Sequence, residues 1–531
     1  MPHEDHSVPA AISGGPTGAY NAAVAFVDRN VAEGRGDKLA FIDPRRSLSY
    51  KALLERVDRF ANALPRLGIG RERRIAMIML DTVDFPAVFW GAIKAGVIPI
   101  PLNTLMTAEQ WRFAVADSRA EAIVISAELV KQAEPMLADL AALNYPHVVV
   151  AGAAHSDQTT IALDVLLAGS DVVAEPAATS ADEVAFWLYS SGSTGSPKGT
   201  KHVHASLAHT AQLYGQGVLG IRAEDVVFSA AKLFFAYGLG NGMTFPMSVG
   251  ATTILLPDRP TPDTVIATMQ AQHPTIFFGV PTLYAAMLAS PALKKGAGSK
   301  RLRACVSAGE ALPEDVGLRW RELVGIDILD GIGSTEMLHI FLSNRFGEVR
   351  YGASGHPVPG YQTMLLDETG GPVADGEIGE LVVSGPTAAD GYWNLREKSR
   401  RTFAGPWTYT GDKYRIGTDG FYYYCGRTDD MFKVSGIWVS PFEVEQALVS
   451  HAAVLEAAVV PKTDADGLIK PKAFVVLNAG QAFDQALLDA LREHVKSKAG
   501  AWKYPRWIEV RSELPKTATG KIQRFLLRAE E

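Results

Sequence analysis

The residues of this chain best suited to chemistry form a loop rich in glycine and hydroxyl side chains, from Tyr189 to Thr200. The apolar run Val184 to Leu188 precedes the loop and predicts a short buried strand, and a helix is predicted to begin near Val203. Free amide groups in such a loop can line an anion-accepting surface, and its hydroxyls can bind phosphate oxygens. Lys198 adds a positive charge, but Gly199 comes after it, so the spacing is not that of a Walker loop. A flexible Gly/Ser linker is the alternative interpretation, which the strand directly before the loop disfavours.

A second string, Asp330 to Glu336, follows an apolar run from Gly325 to Leu329 that predicts another buried strand. A carboxylate here could hold a magnesium ion that bridges nucleotide phosphates, and Thr335 could donate a hydrogen bond to one of them. A glycine-rich turn from a strand into a helix, with a helix N-cap, would explain the same residues.

Three other polar strings are candidates. Ser307 to Pro313 is predicted to lie between a strand and a helix, where a simple turn is the alternative. The carboxylate of Asp412 suits vicinal ribose hydroxyls, with Arg427 as a second polar partner, although turns rich in Gly and Asp are often only turns. Near the C-terminus, Leu514 to Lys521 is rich in lysine, and a solvated tail is its alternative.

In this order, the motifs resemble those of the AMP-forming acyl- and aryl-CoA synthetases, the adenylate-forming superfamily, and the resemblance covers essentially the whole chain. It implies that Lys521, Glu336 and Thr194 are catalytic, with Glu336 as the magnesium ligand. It also implies that Asp429 is the hinge of a mobile domain. The family usually has an aromatic residue where this chain has Ile332, which puts aromatic stacking on the adenine in doubt there. The ATP-binding residues implied are Ser190, Ser191, Gly192, Ser193, Thr194, Gly195, Lys198, Gly309, Glu310, Ala311, Asp330, Gly331, Ile332, Ser334, Thr335, Asp412, Arg427 and Lys521.

Within the superfamily, four stretches resemble the benzoate-CoA ligase group: Phe234 to Gly240, Gly331 to Ile340, Met431 to Pro441 and Trp502 to Arg506. This resemblance implies a small, flat acid pocket lined by Phe235, Ala236, Tyr237, Gly333, His339 and Ile340. It implies that Lys433, Ser435, Gly436 and Trp438 serve the CoA step. A hydrogen-bonded core histidine is the alternative for His339.

The activity implied is ATP-dependent conversion of benzoate or a substituted benzoate to its CoA thioester through an aryl-adenylate. ATP, CoA and Mg²⁺ would be required. An enzyme that adenylates another small aryl or alkyl acid and loads it onto CoA or a carrier protein is the alternative. A luciferase-type oxygenase is a second alternative, because it shares the motifs. A nucleotide sensor without activity is disfavoured, because it would need neither Lys521 nor Glu336.

The elements that must position these motifs alternate between short apolar strands, such as Arg74 to Leu80, and helical stretches, such as Asp84 to Ala95. Such alternation predicts an α/β fold with parallel-rich sheets and helices packed on them. Beyond about Asp367 the pattern predicts a more β-rich region, and from about Met431 a compact α+β unit. We therefore expect a large N-terminal domain, residues 1–428, and a small mobile C-terminal domain, residues 429–531.

Composition sets the remaining limits. The 531 residues include 47% hydrophobic and 21% charged residues with a net charge of −7, which is typical of a soluble protein that binds neither nucleic acid nor membrane. Two cysteines cannot build a disulfide framework, and residues 1–15 lack the apolar core of a signal peptide. A cytoplasmic protein is expected, with its oligomeric state, a homodimer included, left open.

Overall fold

The largest sheet, here called the central sheet, has nine strands and six of them form its parallel centre. The computed structural model describes residues 17–142, 147–191, 197–295, 299–434, 437–465, 467–500, 502–516 and 522–530. In spatial order the strands of the central sheet are His356–Pro357, Ile340–Ser343, Ile328–Gly333, Ala304–Ser307, Ile276–Gly279, Val226–Ser229, Thr252–Ile254, Leu39–Ile42 and Ser47–Ser49.

A second sheet, the N-terminal sheet, is parallel throughout. Parallel strands need crossover connections, and helices such as Asp84–Lys94 supply them. Its strands in spatial order are Ile98–Pro101, Arg74–Ile78, Ala122–Ser126, His147–Ala151 and Ile161–Ala162.

Helix starts follow local side-chain chemistry. The helix Tyr50–Arg66 begins after Ser49, whose side chain accepts a hydrogen bond from the Ala52 amide. The helix Ala108–Ser118 begins with a reciprocal capping box between Thr107 and Gln110. The α-helices of the described residues are Tyr50–Arg66, Asp84–Lys94, Ala108–Ser118, Val130–Ala142, Leu163–Ala168, His204–Thr210, Ala236–Leu239, Phe245–Val249, Pro262–Gln272, Pro281–Ala289, Glu314–Val324, Arg396–Thr402, Pro441–Val449, Gln485–Ala499 and Arg524–Ala529. Turns of π-helix occur at Val24–Asp28, Val31–Arg35, Ala211–Gln216 and Gly240–Thr244, with a 3₁₀ turn at Ala127–Leu129.

An antiparallel hairpin, Val184–Ser191 with Pro197–Val203, carries the glycine-rich string, and the strand Gly391–Tyr392 pairs with its second arm. Phe186 fixes the hairpin to the core, because its ring lies 5.6 Å from that of Phe89 in the helix Asp84–Lys94. A separate antiparallel sheet comprises Gln362–Leu366, Gly379–Ser384, Trp407–Ile416, Phe403–Ala404 and Tyr422–Arg427.

The C-terminal part has its own sheets and its own apolar cores, built from residues between Phe432 and Leu527. Its strands are Phe432–Val434, Ile437–Val439, Val454–Thr463, Ile469–Leu477 and Trp507–Val510. This confirms the predicted α/β class with an α+β C-terminal unit. The boundary near Asp429 stays a prediction. No helix within the described ranges is long and apolar enough to cross a membrane.

The helix predicted to begin near Val203 is confirmed as His204–Thr210. Two other local predictions are wrong. The glycine-rich string Tyr189 to Thr200 is not a loop throughout, because residues 189–191 and 197–200 lie in the strands Val184–Ser191 and Pro197–Val203. The strand predicted at Gly325 to Leu329 is Ile328–Gly333, so four of the seven residues of the second string lie in the strand itself rather than in a turn after it. Glycines lower strand propensity, but here both neighbouring strands hold the segment through pairing.

Candidate active site

The carboxyl ends of the central parallel strands bring three of the predicted motifs together. Gly279 pairs with Ser307, and Ser307 pairs with Asp330, so these strands end side by side. The Tyr237 hydroxyl donates to the carbonyl groups of Gly279 and Val306, 3.2 Å away in each case. The predicted acid-pocket segment therefore lies against the ends of the strands that lead into the predicted nucleotide motifs, the usual ligand position in open α/β sheets.

A buried ion pair joins the glycine-rich hairpin to the second motif. Lys198 Nζ lies 2.7 Å from Glu336 Oε1, and both side chains are about 15% exposed, at 14% and 15% respectively. The Tyr392 hydroxyl donates to the same carboxylate oxygen at 2.7 Å, and Lys198 Nζ donates to the Tyr392 oxygen at 2.8 Å. Tyr392 was not among the predicted site residues, because only the pairing of its strand with the hairpin brings it there.

Glu336 is ionised in this arrangement. Burial alone would raise its pKa, but the charge of Lys198 and hydrogen bonds from Lys198 and Tyr392 hold the pKa below its usual value. Thr335 is fixed from the other side, because the His202 ring donates through Nε2 to the Thr335 carbonyl at 2.8 Å. Burial lowers the pKa of His202 to about 4, so this ring is neutral.

The donor set fits a magnesium ion held mainly by nucleotide phosphates. Among the described residues, no group of three or more His, Cys, Asp or Glu side chains is placed to hold a metal ion. Mg²⁺ in nucleotide sites usually takes one or two protein carboxylates and obtains its other ligands from phosphates and water. The single ionised carboxylate of Glu336 meets that requirement.

Other predicted ATP-binding residues lie in two further places. Arg427 Nη1 donates to Asp412 Oδ1 at 3.0 Å across the paired strands Trp407–Ile416 and Tyr422–Arg427. Asp330 is buried and accepts from the Leu312 amide at 3.3 Å, which connects it to the end of the Ser307 to Pro313 string. Burial raises the pKa of Asp330 to about 8, so it carries a proton at neutral pH.

His339 is a neutral, buried ring. Its Nε2 donates to Asn241 Oδ1 at 3.1 Å and to the Tyr237 carbonyl at 3.3 Å, and burial lowers its pKa to about 3. The rings of Tyr214, Tyr237 and Phe245 lie 5.2, 5.6 and 4.5 Å from it, centroid to centroid. The core interpretation and the pocket interpretation of His339 are thus compatible, since a packed histidine still forms part of an aromatic wall.

Two glycines are required by close approach here. A Cβ at Gly333 would lie 2.5 Å from the His339 carbonyl oxygen, and a Cβ at Gly240 would lie 2.4 Å from His339 Cδ2. Larger residues at either position would displace the histidine.

Comparison with known proteins decides the family. The sequence pattern of AMP-binding enzymes matches residues 28–393, and that of the AMP-binding enzyme C-terminal domain matches residues 443–521. The chain belongs to the AMP-binding enzyme family.

Three similar proteins are informative. This AMP-binding enzyme is 57% identical over 515 residues to the 4-hydroxybenzoate–CoA/benzoate–CoA ligase of Rhodopseudomonas palustris, which covers 97% of this chain and 94% of that protein. It is 55% identical over 512 residues to the benzoate–CoA ligase of Thauera aromatica, with 96% of each chain covered. The crystal structure of an anthranilate CoA ligase in complex with anthranoyl-AMP superposes with a TM-score of 0.91 at 40% identity, covering 96% of this chain and 97% of that one.

The predicted hinge of this AMP-binding enzyme is in contact with the last described helix. Arg528 in Arg524–Ala529 donates to the Asp429 carbonyl at 3.0 Å and also contacts the Asp430 carboxylate. Arg524 Nη2 lies 2.6 Å from the buried Glu445 carboxylate. The last helix, the hinge segment and the helix Pro441–Val449 are therefore one connected unit.

The remaining predicted residues divide into two groups. Phe235, Glu310 and Ser334 are partly exposed, and Gly309 and Lys433 are exposed. The predicted residues Gly192, Ser193, Thr194, Gly195, Ser435, Gly436 and Lys521 lie outside the described residues.

Proposed function

We propose that this enzyme converts benzoate, or a benzoate with a small ring substituent, to its CoA thioester through an aryl-adenylate, releasing AMP and pyrophosphate. The observation that carries the proposal is the short distance along the chain from Glu336 to His339. Three residues after the carboxylate that pairs with Lys198, the backbone enters a buried and uncharged environment of aromatic rings. The identity of 57% with a relative named for benzoate and 4-hydroxybenzoate supports the same choice.

The aromatic environment explains why a ring is the favoured substrate. The partly exposed ring of Tyr237 lies beside His339, and the buried ring of Phe245 packs against His339. Aromatic walls of this kind bury a flat ring well. Since His339 is neutral, the pocket gives no electrostatic advantage to an acidic substituent. Uncharged substituents such as hydroxyl, amino or fluoro groups are therefore compatible with it.

In the first half-reaction, an oxygen of the substrate carboxylate attacks the α-phosphorus of ATP, and pyrophosphate leaves with the electrons of the broken P–O bond. No base is needed, because the carboxylic acid is already ionised at neutral pH. Charge neutralisation and positioning are the main requirements. Lys198 would pair with phosphate oxygens, Asp412 would hold the ribose, and Lys521 would bridge the carboxylate and the α-phosphate. Mg²⁺ held by Glu336 would neutralise further phosphate charge.

In the second half-reaction, the CoA thiol attacks the carbonyl carbon of the mixed anhydride, and AMP leaves. The C-terminal domain, residues 429–531, would turn about Asp429 between the two steps and bring the segment from Lys433 to Trp438 to the site. This is gating by hinge motion, and it also keeps water away from the anhydride.

The proposal is tested by AMP release that depends on ATP, magnesium and CoA, measured across a panel of acids. The panel contains benzoate, its hydroxy, amino and fluoro forms, cinnamate, acetate, hexanoate and palmitate. Turnover confined to the benzoates is expected. Activity that peaks on cinnamate or on the aliphatic acids would overturn the pocket assignment.

The division of labour between the half-reactions has its own test. Lys521→Ala should abolish pyrophosphate release from benzoate and ATP, yet largely spare thioester formation from supplied benzoyl-adenylate. Equal loss in both assays would contradict the two-state assignment.

A further inference from the structure

Asp81 is a buried carboxylate that none of the nucleotide motifs uses. It follows the N-terminal sheet strand Arg74–Ile78 and is 3% exposed. The Leu233 amide, which belongs to the segment before the acid pocket, lies 3.2 Å from Asp81 Oδ1 and 3.4 Å from Oδ2. Within the described ranges, the Leu233 amide is the one group that donates a hydrogen bond to the Asp81 carboxylate. Burying a carboxylate costs free energy, and here only one backbone amide offsets that cost. This indicates that the position of the Leu233 amide matters.

The neighbouring residue, Lys232, is fixed from the opposite direction. Its Nζ donates to the Asp258 carbonyl at 2.7 Å, to the Pro257 carbonyl at 3.4 Å and to the Leu256 carbonyl. These carbonyls follow the central sheet strand Thr252–Ile254. The dipeptide Lys232–Leu233 is thus held by both sheets at once.

Charge reinforces this arrangement. Burial raises the pKa of Asp81 to about 6, and Lys232 opposes the shift, so the carboxylate is mostly ionised at pH 7. Lys232 faces the anions Asp81 and Asp258. Asp84, the next carboxylate along the chain and the first residue of the helix Asp84–Lys94, pairs with Arg46 and Arg56.

The backbone that follows the dipeptide builds the acid pocket. The Phe235 amide donates to the Lys232 carbonyl at 3.0 Å, and a Cβ at Gly238 would lie only 2.0 Å from that same carbonyl oxygen. The turn between Phe235 and Gly238 is therefore folded tightly onto Lys232 and has little freedom to move independently. A displaced Lys232–Leu233 would carry Phe235 and Tyr237 with it.

We propose that Asp81 is a positioning residue for the aryl-acid pocket: its carboxylate fixes the Leu233 amide, and Lys232 fixes the same turn from the other sheet. The proposal rests on the assignment of Phe235 and Tyr237 to the acid pocket. It predicts an effect on the apparent affinity for the acid and not on that for ATP.

The test compares Asp81→Leu with Asp81→Asn in the full-length enzyme. Leucine cannot accept the Leu233 hydrogen bond, whereas the asparagine side-chain oxygen can. Asp81→Leu should raise KM for benzoate about tenfold, the effect of one lost buried hydrogen bond, and leave KM for ATP unchanged. Asp81→Asn should keep KM for benzoate within about threefold of wild type, which a loss of packing alone would not explain. Lys232→Met, a second variant on the other sheet, should raise KM for benzoate in the same selective way.

Asp58→Asn is the matched control. Asp58 is also a buried aspartate, 5% exposed, but it pairs with Lys94 at 2.5 Å, away from the acid pocket. The Asp58→Asn variant should have a lower midpoint of thermal unfolding, with KM for benzoate and KM for ATP unchanged.

Two results would overturn the proposal: equal rises in both KM values for Asp81→Leu, or a benzoate KM at the wild-type value in both Asp81→Leu and Lys232→Met. If wild type prefers cinnamate or an aliphatic acid, the proposed function fails, and the same comparison with that acid still decides the role of Asp81.

Discussion

Replacing Glu336 by glutamine should destabilise the ligand-free enzyme, because the charge of Lys198 is then left buried without its partner. Lys198 Nζ lies 2.7 Å from Glu336 Oε1, and the two side chains are 14% and 15% exposed. At an effective dielectric constant of ~20 the Coulomb attraction is ~6 kcal/mol, and much of this offsets desolvation of the two ions. Removing one member of such a pair costs ~3–5 kcal/mol, because the other charge is left buried. Glutamine still offers an oxygen to Tyr392, so we expect ~3 kcal/mol.

The assay is thermal unfolding without nucleotide or metal. With an unfolding entropy of ~2.1 cal/mol/K per residue over a unit of ~400 residues, ~3 kcal/mol corresponds to a midpoint lower by ~3–4 °C. The folded-state pKa of Glu336 is lowered, so its stabilisation is present above the unfolded value of 4.5 and is lost as the pH falls through the folded value. The difference between wild type and Glu336→Gln should therefore shrink in acid.

The control is a double-mutant cycle with Lys198→Met. In the double variant neither charge is buried alone, so its midpoint should lie above the value expected from adding the two single losses. Strict additivity would refute the reasoning, since it would mean that Lys198 and Glu336 do not stabilise each other.

Three other changes test other parts of the site. Gly240→Ala should raise KM for benzoate at least tenfold and leave KM for ATP unchanged, because the added Cβ would lie 2.4 Å from His339 Cδ2; equal kinetics would contradict the pocket assignment. Asp330→Asn should gain thermal stability relative to wild type as the pH rises from 4 to 8. Wild type loses stability over that range because its folded pKa is about 8 against 3.8 unfolded; a pH-independent difference would contradict the raised pKa. Arg427→Met should raise KM for ATP, by loosening Asp412, without a change in KM for benzoate, which initial rates at varied ATP would show.

Elements with a clear local pattern were predictable from the sequence. The helix from Asp84 and the strand from Arg74 were expected close to where they occur, because helical periodicity and an apolar run are local signals. The strand Pro197–Val203 was missed, since it begins with proline and lysine and has no apolar alternation; its partner across the hairpin stabilises it.

The site was predictable only where a motif carries it. Lys198 was expected to bind ATP and Glu336 to hold magnesium, but nothing in their spacing predicts that they pair with each other. Tyr392, Asp81 and Lys232 belong to no motif. Their roles depend on contacts between residues that are distant in sequence, such as the 152 positions between Asp81 and Leu233.

The contact of Arg528 with the predicted hinge has a consequence for the energy of the proposed domain rotation. Arg528 holds the carbonyl of Asp429 and the side chain of Asp430, and both lie beyond the last freely turning backbone bond of Asp429. If the C-terminal domain turns about that bond, as proposed, it takes this clamp along and keeps the ion pair between Arg528 and Asp430. The rotation gives up the hydrogen bonds, each 3.0 Å long, from the amides of Asp430 and Met431 to the Arg427 carbonyl. Two such backbone bonds cost ~1–3 kcal/mol together, and salt barely screens them, so this part of the cost of rotation should depend little on ionic strength.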